Sequence, residues 1–293
     1  MYNGIINIYK EKGFTSHDVV AKLRGILKQK KIGHTGTLDP DATGVLPVCL
    51  GSGTRLCDML TDKTKEYEAV MLLGITTDTE DSSGEVLTRQ EVNATEAEVI
   101  NSIKSFIGEY NQVPPMYSAI KVDGRKLYEL AREGRIIERK PRPVIINSIQ
   151  IISMDLPRIT IKVECGKGTY IRSLCRDIGE QLGCGACMEK LIRTRSGNFR
   201  IEAAHTLGEI EKFVCDNTID DVIFPVDSVF MEYPSVNVTG RNAVLVSNGN
   251  KFPADSDMPS GMVRVYRGEC FAGVYEACRD GFYKPVKMFQ NGE

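Results

Sequence analysis

What most limits the fold is the order in which two periodicities succeed each other along the chain. Ile159, Ile161, Val163 and Cys165 occupy every second position, the spacing of a strand with one buried face. Tyr67 to Ile75 and Ile145 to Ile152 are further strand-like runs. Helical periods lie among them. Thr15-x-x-Asp18 and Thr95-x-x-Glu98 are capping boxes. The first precedes Val19, Val20, Leu23, Ile26 and Leu27; the second precedes Val99, Ile100, Ile103, Phe106 and Ile107, with Gly108 as a stop signal. A third helical stretch runs from Tyr170 through Ile171, Leu174, Ile178 and Leu182 to Gly183. No regular β-α-β beat joins these elements. The expectation is an α+β fold on a mixed or antiparallel sheet rather than a doubly wound one.

After Pro225 the pattern changes to short strands and tight turns with almost no helical period. Val263 and Val265 lead into Arg267-Gly268, Phe271 to Tyr275 return, Asp280-Gly281 turns again, and Phe282 to Phe289 finish. Residues 1–230 therefore read as one large domain and 231–293 as a small β-rich module, near the lower size limit for independent folding.

Composition adds constraints on partners. The formal net charge of −2 argues for no polyanionic partner, but the charge is segregated. Residues 10–31 hold seven Lys/Arg against Glu11 and Asp18, residues 121–142 hold eight basic against four acidic side chains, and 158–176 hold five against one. Residues 76–98 and 202–232 are acidic. Such segregation builds either solvated helix faces or a positive face that steers phosphates. Nine cysteines lack framework spacing and Met1-Tyr2-Asn3-Gly4 opens no apolar leader, so a reduced, cytoplasmic protein is expected. Cys184-x-x-Cys187 has no second pair, and His17, His34 and His205 are not at zinc-finger spacing, so no metal is expected. No apolar run approaches the ~20 residues of a membrane span.

The chemistry is concentrated in Gly33-His34-Thr35-Gly36-Thr37-Leu38-Asp39-Pro40-Asp41-Ala42-Thr43-Gly44-Val45-Leu46. Glycines at 33, 36 and 44 imply a backbone in unusual dihedrals or pressed close to a neighbour. Pro40 drives Asp39 into an extended conformation, from which its carboxylate either points rigidly at a ligand or closes an Asx turn on its own backbone. Gly33-x-x-Gly36 also matches the clamp of KH modules, but Leu38-Asp39-Pro40 breaks the helix that should follow. Gly166-Lys167-Gly168-Thr169 fails as a P-loop, because Ile161 stands where the first Gly belongs and Gly168 where Ser/Thr should be.

Taken whole, the Asp39 segment resembles the signature of TruB-family pseudouridine synthases, G-H-x-G-T-L-D-P-x-A-x-G-x-L, and fits it throughout. Four more blocks agree in order and spacing: Lys65-Glu66-Tyr67, Val113 to Lys121, Gly168 to Leu174, and Leu191-Ile192-Arg193-Thr194-Arg195-Ser196-Gly197. The resemblance covers about residues 3 to 230 and continues more weakly into a C-terminal module that loosely resembles a PUA-type RNA-binding domain.

The resemblance implies a stand-alone enzyme, expected as a monomer, that isomerises the T-loop uridine at position 55 of tRNA, binding the T arm and using no cofactor. It implies that Asp39 is the nucleophile, Arg172 its cationic partner, and Asp81 the acid orienting that arginine. Tyr67 would stack on the flipped base, Tyr170 and Leu191 would line its pocket, and His34 would enter the space the base vacates. Taken singly, Tyr and Leu are ordinary core residues and His34 an ordinary loop histidine. The segment from Lys121 to Arg142, with Lys10 to Lys31, would track the tRNA backbone. Two rivals remain: a non-catalytic RNA-binding protein, for which Asp39 is dispensable, and the guide-RNA-dependent branch of the same family. The absence of Lys/Arg-rich tails favours the stand-alone reading.

Overall fold

The alternating residues Ile159, Ile161, Val163 and Cys165 are all fully buried, on one face of a strand near the middle of a ten-stranded sheet. The computed structural model describes residues 1–254 and 259–289. The chain opens with β1 (Gly4–Lys10), α1 (Ser16–Ile26), β2 (Ile32–His34) and β3 (Thr43–Leu50). Next come α2 (Cys57–Thr61), β4 (Lys65–Leu73), β5 (Ile75–Thr77), β6 (Val86–Arg89) and α3 (Glu96–Ser105). They are followed by β7 (Gly108–Gln112), a small hairpin of β8 (Lys121–Val122) and β9 (Arg125–Lys126), and α4 (Leu127–Arg132). The long β10 (Arg142–Asp155) leads to β11 (Arg158–Cys165), α5 (Ile171–Gln181) and β12 (Ala186–Ser196). Last in this part are β13 (Phe199–Arg200), α6 (Leu207–Cys215) and β14 (Ile223–Phe224).

The main sheet runs β14-β1-β3-β12-β4-β11-β10-β7, with β2 on β3 and β13 on β12. Neighbours are antiparallel except β3 and β12, which meet in parallel at Ile192–Thr43 and Arg193–Gly44, so the sheet is mixed. Both predicted capping boxes form: Thr15 and Thr95 each cap with the acid three residues on, and Thr206 with Glu209 adds a third on α6. Helices α3 and α5 cover β4, β11 and β12 through Val99, Ile103, Ile171, Leu174 and Ile178. Each such aliphatic side chain contributes about 1.5–3 kcal/mol on burial, and together they fix α5, with Arg172, against the sheet. Helices α1 and α6 cover β1 and β3 through Val19, Leu23, Leu207 and Ile210.

The C-terminal part comprises β15 (Ser235–Asn237), α7 (Gly240–Ser247), β16 (Phe252–Pro253), β17 (Met262–Arg267), β18 (Cys270–Ala277) and β19 (Phe282–Met288). Its five strands form one sheet in the order β15-β17-β18-β19-β16. The turns read from the sequence are where they were expected, and α7 is one short helix among the strands. Its own core is Val236, Phe252, Val263, Val265, Tyr275 and Tyr283. A second cluster joins Phe230, Val274 and Phe289 to Ile5, Val45 and Cys49 of the main sheet.

Candidate active site

Asp39 lies in the loop between β2 and β3, and every part of that loop is tied down. Leu38 donates its N–H to Ser16 Oγ at 2.9 Å, and Thr35 donates its own to the Pro47 carbonyl at 3.0 Å. The Ala42 N–H closes a turn on the Asp39 carbonyl at 3.1 Å. The Pro40 carbonyl accepts from Gly13 N at 2.9 Å and from Lys10 Nζ at 3.1 Å. Gly36 and Gly44 adopt φ of +90° and +105°, left-handed territory that favours glycine. A Cβ on Gly44 would lie 2.2 Å from the Arg193 carbonyl, so the parallel β3–β12 approach requires that glycine.

The Asp39 carboxylate turns away from its own backbone. Among the described residues it bonds Arg172, whose Nε lies 3.0 Å from Oδ2 and whose Nη2 lies 3.2 Å from Oδ1. The geometry is bidentate, so the Asx turn is not formed. Arg172, one residue inside α5, is 5% exposed at its side chain, while Asp39 is 39% exposed and faces outward. Two of the three remaining guanidinium hydrogens go to the Thr79 carbonyl at 3.0 Å and the Tyr117 carbonyl at 2.9 Å. Asp81 Oδ2 stands 3.7 Å from Nη1, and its other oxygen accepts from Thr79 Oγ1 and from the Ser83 N–H and hydroxyl.

Desolvation at the loop pushes the Asp39 carboxyl above its ordinary value, with Asp81 adding to the rise; Arg172 and Lys10 oppose it. The arginine is thus the largest influence opposing that rise. Beside the pair, Tyr67 on β4 packs in one cluster with Leu38, Ala42 and Leu191, and Tyr67 and Leu191 are each 8% exposed. Burial raises the Tyr67 phenol, against the Arg193 charge, so it stays protonated. Tyr170 caps α5, its backbone N–H and carbonyl clamped by the Gln112 side chain at 2.8 and 3.0 Å. His34 ends β2 edge-on to His17, ring centres 5.3 Å apart. Its buried Nδ1 has no partner among the described residues. Burial, with His17 and Arg193, lowers its pKa, so the ring is neutral at physiological pH. Gly33 lies within β2 and no helix follows Gly36, unlike a KH clamp.

One expectation about charge is corrected, and one basic segment left open by the sequence yields no positive face. Lys10 is fully buried and donates to the carbonyls of Phe14, Glu11 and Pro40, so it holds the Asp39 loop rather than meeting phosphate. All five basic residues of 158–176 face carboxylates: Arg158–Glu189, Lys162–Glu66, Lys167–Asp62, Arg172–Asp39 and Arg176–Glu80. That segment supplies no free positive face. Lys22, Lys28, Lys30 and Lys31, and likewise Lys121, Arg132, Arg135, Lys140 and Arg142, are exposed and pair with no carboxylate among the described residues. Lys121 sits on the β8–β9 hairpin, beyond the residues that touch Asp39.

The loop-holding role of Lys10 was not legible in the sequence, which also assigned no role to Arg193. Arg193, 1% exposed, donates to the Val45 carbonyl at 2.6 Å and the Gly36 carbonyl at 3.2 Å, bracketing the loop. The available signal was strand phase: Lys10 follows Ile6 and Ile8, and Arg193 follows Leu191, each in step with buried positions. Among the described residues no group of three or more His, Cys, Asp or Glu is placed to hold a metal ion, and no helix is long and apolar enough to cross a membrane.

Comparison with known proteins identifies the family. The family model described as TruB family pseudouridylate synthase (N terminal domain) matches residues 24–171, and that of the tRNA pseudouridylate synthase B C-terminal domain matches 172–231. A tRNA pseudouridine synthase B of Lachnoclostridium phytofermentans is 54% identical, covering 98% of this chain and 99% of its own. That of Clostridium tetani is 44% identical with the same coverage. Among solved structures, a Cbf5-Nop10-Gar1 complex superposes with a TM-score of 0.73 at 29% identity, over 99% of this chain and 85% of the other. An H/ACA RNP bound to a substrate RNA containing 2'-deoxyuridine gives 0.71 at 26%, over 99% of this chain and 86% of the other. A loop signature built around one ion pair, matching family models and near-full-length relatives together show that the chain belongs to the TruB family of pseudouridine synthases.

Proposed function

We propose that this chain converts the T-loop uridine at position 55 of tRNA to pseudouridine, with Asp39 as nucleophile and the target base flipped into the pocket beside it. The observation that carries the reading is the bidentate Asp39–Arg172 pair. The reaction breaks the bond between ribose C1′ and N1 of uracil and joins C1′ to C5; C5 gives up a proton and N1 gains one. Nothing is oxidised and no group leaves the RNA, so an anionic nucleophile and a base-binding pocket meet its needs. Arg172 serves as the cation that keeps Asp39 ionised, and Asp81 orients Arg172.

Base flipping requires a platform, worth about 1–3 kcal/mol per stacked base. Tyr67 is that platform, with Tyr170 and Leu191 lining the pocket. Neutral His34 fills the gap left by the base. Lys121 and its neighbours to Arg142, with exposed basic residues of α1, follow the T-arm backbone. The guide-dependent alternative is less favoured: relatives named tRNA pseudouridine synthase B stand at 44–54% identity over nearly the full chain, against 26–29% for the ribonucleoprotein neighbours. We further propose that residues 1–230 form the catalytic unit and 231–293 a PUA-like RNA contact, and that the protein acts as a cytoplasmic monomer.

The test is to incubate purified protein with an unmodified tRNA transcript and map pseudouridine at nucleotide resolution. One new pseudouridine in the T loop at position 55 is expected. Modification elsewhere would overturn the position, and none at all would overturn the activity.

A further inference from the structure

Behind Arg172 lies a second ion pair that the reaction as described does not use. Glu80 sits between Thr79 and Asp81, the two residues whose oxygens face Arg172. Its φ is +65°, a left-handed conformation that is strained for a non-glycine residue and persists only where the surroundings fix it. What fixes it is its own side chain, 9% exposed. Ser173 Oγ, on a fully buried residue, donates to Glu80 Oε2 at 2.5 Å, and Arg176 Nη1 bonds Oε1. Arg176 also donates to the Val113 carbonyl at 3.0 Å and to Asp177 Oδ1. The Glu80 carbonyl accepts from Met188 N at 3.0 Å, pinning the loop to β12.

The spacing on α5 makes the arrangement one device. Arg172 and Arg176 are one helical turn apart, so they lie on the same face. The consecutive residues Thr79, Glu80 and Asp81 address that face together: the outer two reach Arg172, the middle one Ser173 and Arg176. The left-handed turn at Glu80 is what lets neighbours on both sides reach the same arginine.

We propose that Glu80 and Arg176 are positioning residues for catalysis: their buried pair clamps the Thr79-Glu80-Asp81 loop onto α5 and so holds Arg172 in the orientation that grips Asp39. This rests on the proposed role of Asp39. Among the described residues the pair makes no hydrogen bond or ion pair to Asp39, Tyr67, Tyr170 or Leu191, so its proposed action runs through Arg172. Charged and titratable groups acting on Asp39 are Arg172 from α5, Asp81 from the loop after β5, Lys10 from β1, and the phenols of Tyr67 and Tyr170. Loosening Arg172 removes the main influence that holds the Asp39 proton off.

The experiment compares Glu80→Gln, Arg176→Met and the double variant with wild type, measuring kcat, KM and the pH profile of single-turnover pseudouridine formation. Each single variant should lose kcat about 10- to 100-fold with KM within about threefold, and its acid limb should move to higher pH. Removing both charges together relieves the buried unpaired ion, so the double variant should melt closer to wild type than the worse single variant. It should nevertheless keep the low kcat and the displaced limb. A folded double variant with wild-type kcat and acid limb would overturn the proposal and leave the pair as scaffold only. Two controls separate that outcome from failure of the underlying reading: wild type must form pseudouridine, and Asp39→Asn must not.

Discussion

Replacing Asp39 by Asn separates chemistry, binding and stability, because the structure assigns each a different sign. The amide has nearly the shape of the carboxylate, so the loop held by Ser16, Gly13, Lys10 and Arg193 should stay in place. It has no anionic oxygen for nucleophilic attack, so turnover should fall by at least about 10⁴-fold, more than about 5 kcal/mol of barrier. Affinity for tRNA should stay within about tenfold, or ~1.4 kcal/mol, since most contact is with backbone.

Stability is where two effects compete. Removing one partner of a buried ion pair costs about 3–5 kcal/mol when the other charge is left bare. Arg172 is not left bare: it keeps the Thr79 and Tyr117 carbonyls and has Asp81 at 3.7 Å. Against this smaller loss, the folded protein raises the Asp39 pKa above its ordinary 3.8, chiefly by desolvation. The folded state therefore holds that proton more tightly than the unfolded chain. The contribution of Asp39 to stability is full below the unfolded value and is lost as pH rises through the folded one. The two effects should nearly cancel at neutral pH, leaving the melting temperature within about 4 °C of wild type. The variant should also gain on wild type as pH rises from about 4 through the raised folded-state value. Single-turnover pseudouridine mapping, filter binding and thermal melts across that range read the three quantities. Substantial pseudouridine formation by Asp39→Asn free of deamidation would refute the nucleophile. A well-folded variant that binds more than 100-fold worse would instead make Asp39 an RNA contact.

Tyr67→Leu should slow single-turnover formation by about 100-fold while the dissociation constant changes less than about threefold, because the ring is proposed to meet only the flipped base; equal losses would place it in the general RNA surface. Lys10→Met should destabilise the fold by about 2 kcal/mol at pH 7, since the Phe14 and Glu11 carbonyls lose a donor. Burial lowers the Lys10 pKa from 10.5 to about 8, so the unfolded chain binds that proton more tightly and wild-type stability rises across that window. The deficit of the methionine variant should therefore widen there, and denaturant melts at pH 7 and pH 10 would detect the opposite trend if the sign were wrong. Lys121→Ala should weaken tRNA binding and reduce the slope of log affinity against log salt by nearly 1, with kcat unchanged. The same response in Lys284→Ala, an exposed side chain on β19, would support an RNA contact by the C-terminal module, and its absence would make that module structural.

Elements with one buried face were readable from the chain, and elements whose pattern is interrupted were not. Strand β11 alternates cleanly because one face packs on the core and the other is partly open. Strand β12 is equally central, but register shifts between Met188 and Lys190 and between Arg193 and Arg195 put its apolar residues out of phase. Strand β3 shows no alternation because seven of its eight residues are buried. Helix α7 carries Gly240, Asn242 and the β-branched Val244 and Val246, with Val246 its one buried side chain, which leaves no helical stripe to read.

The charges were harder still, because a count along the sequence does not record where a side chain points. Arg172 and Lys167 add equally to the local balance of 158–176, yet one is sealed against Asp39 and the other is 64% exposed beside Asp62. Lys10, Arg193 and Arg176 stand behind or beside the site rather than on the surface, and each spends its donors on carbonyls or a carboxylate that fixes a loop. Their presence follows from what the site has to do. On the proposed reading, a carboxylate that must stay anionic beside the buried Tyr67 and Leu191 needs a cation next to it, and that cation needs a rigid cradle of acceptors. Building the cradle from the backbone carbonyls of two segments, at Thr79 and Tyr117, demands further buried donors to hold those segments and the Asp39 loop. Motif spacing could name Asp39 and Arg172, whereas the cations that hold their surroundings are recognisable only once the strands and α5 bring residues 10, 36, 80, 176 and 193 together.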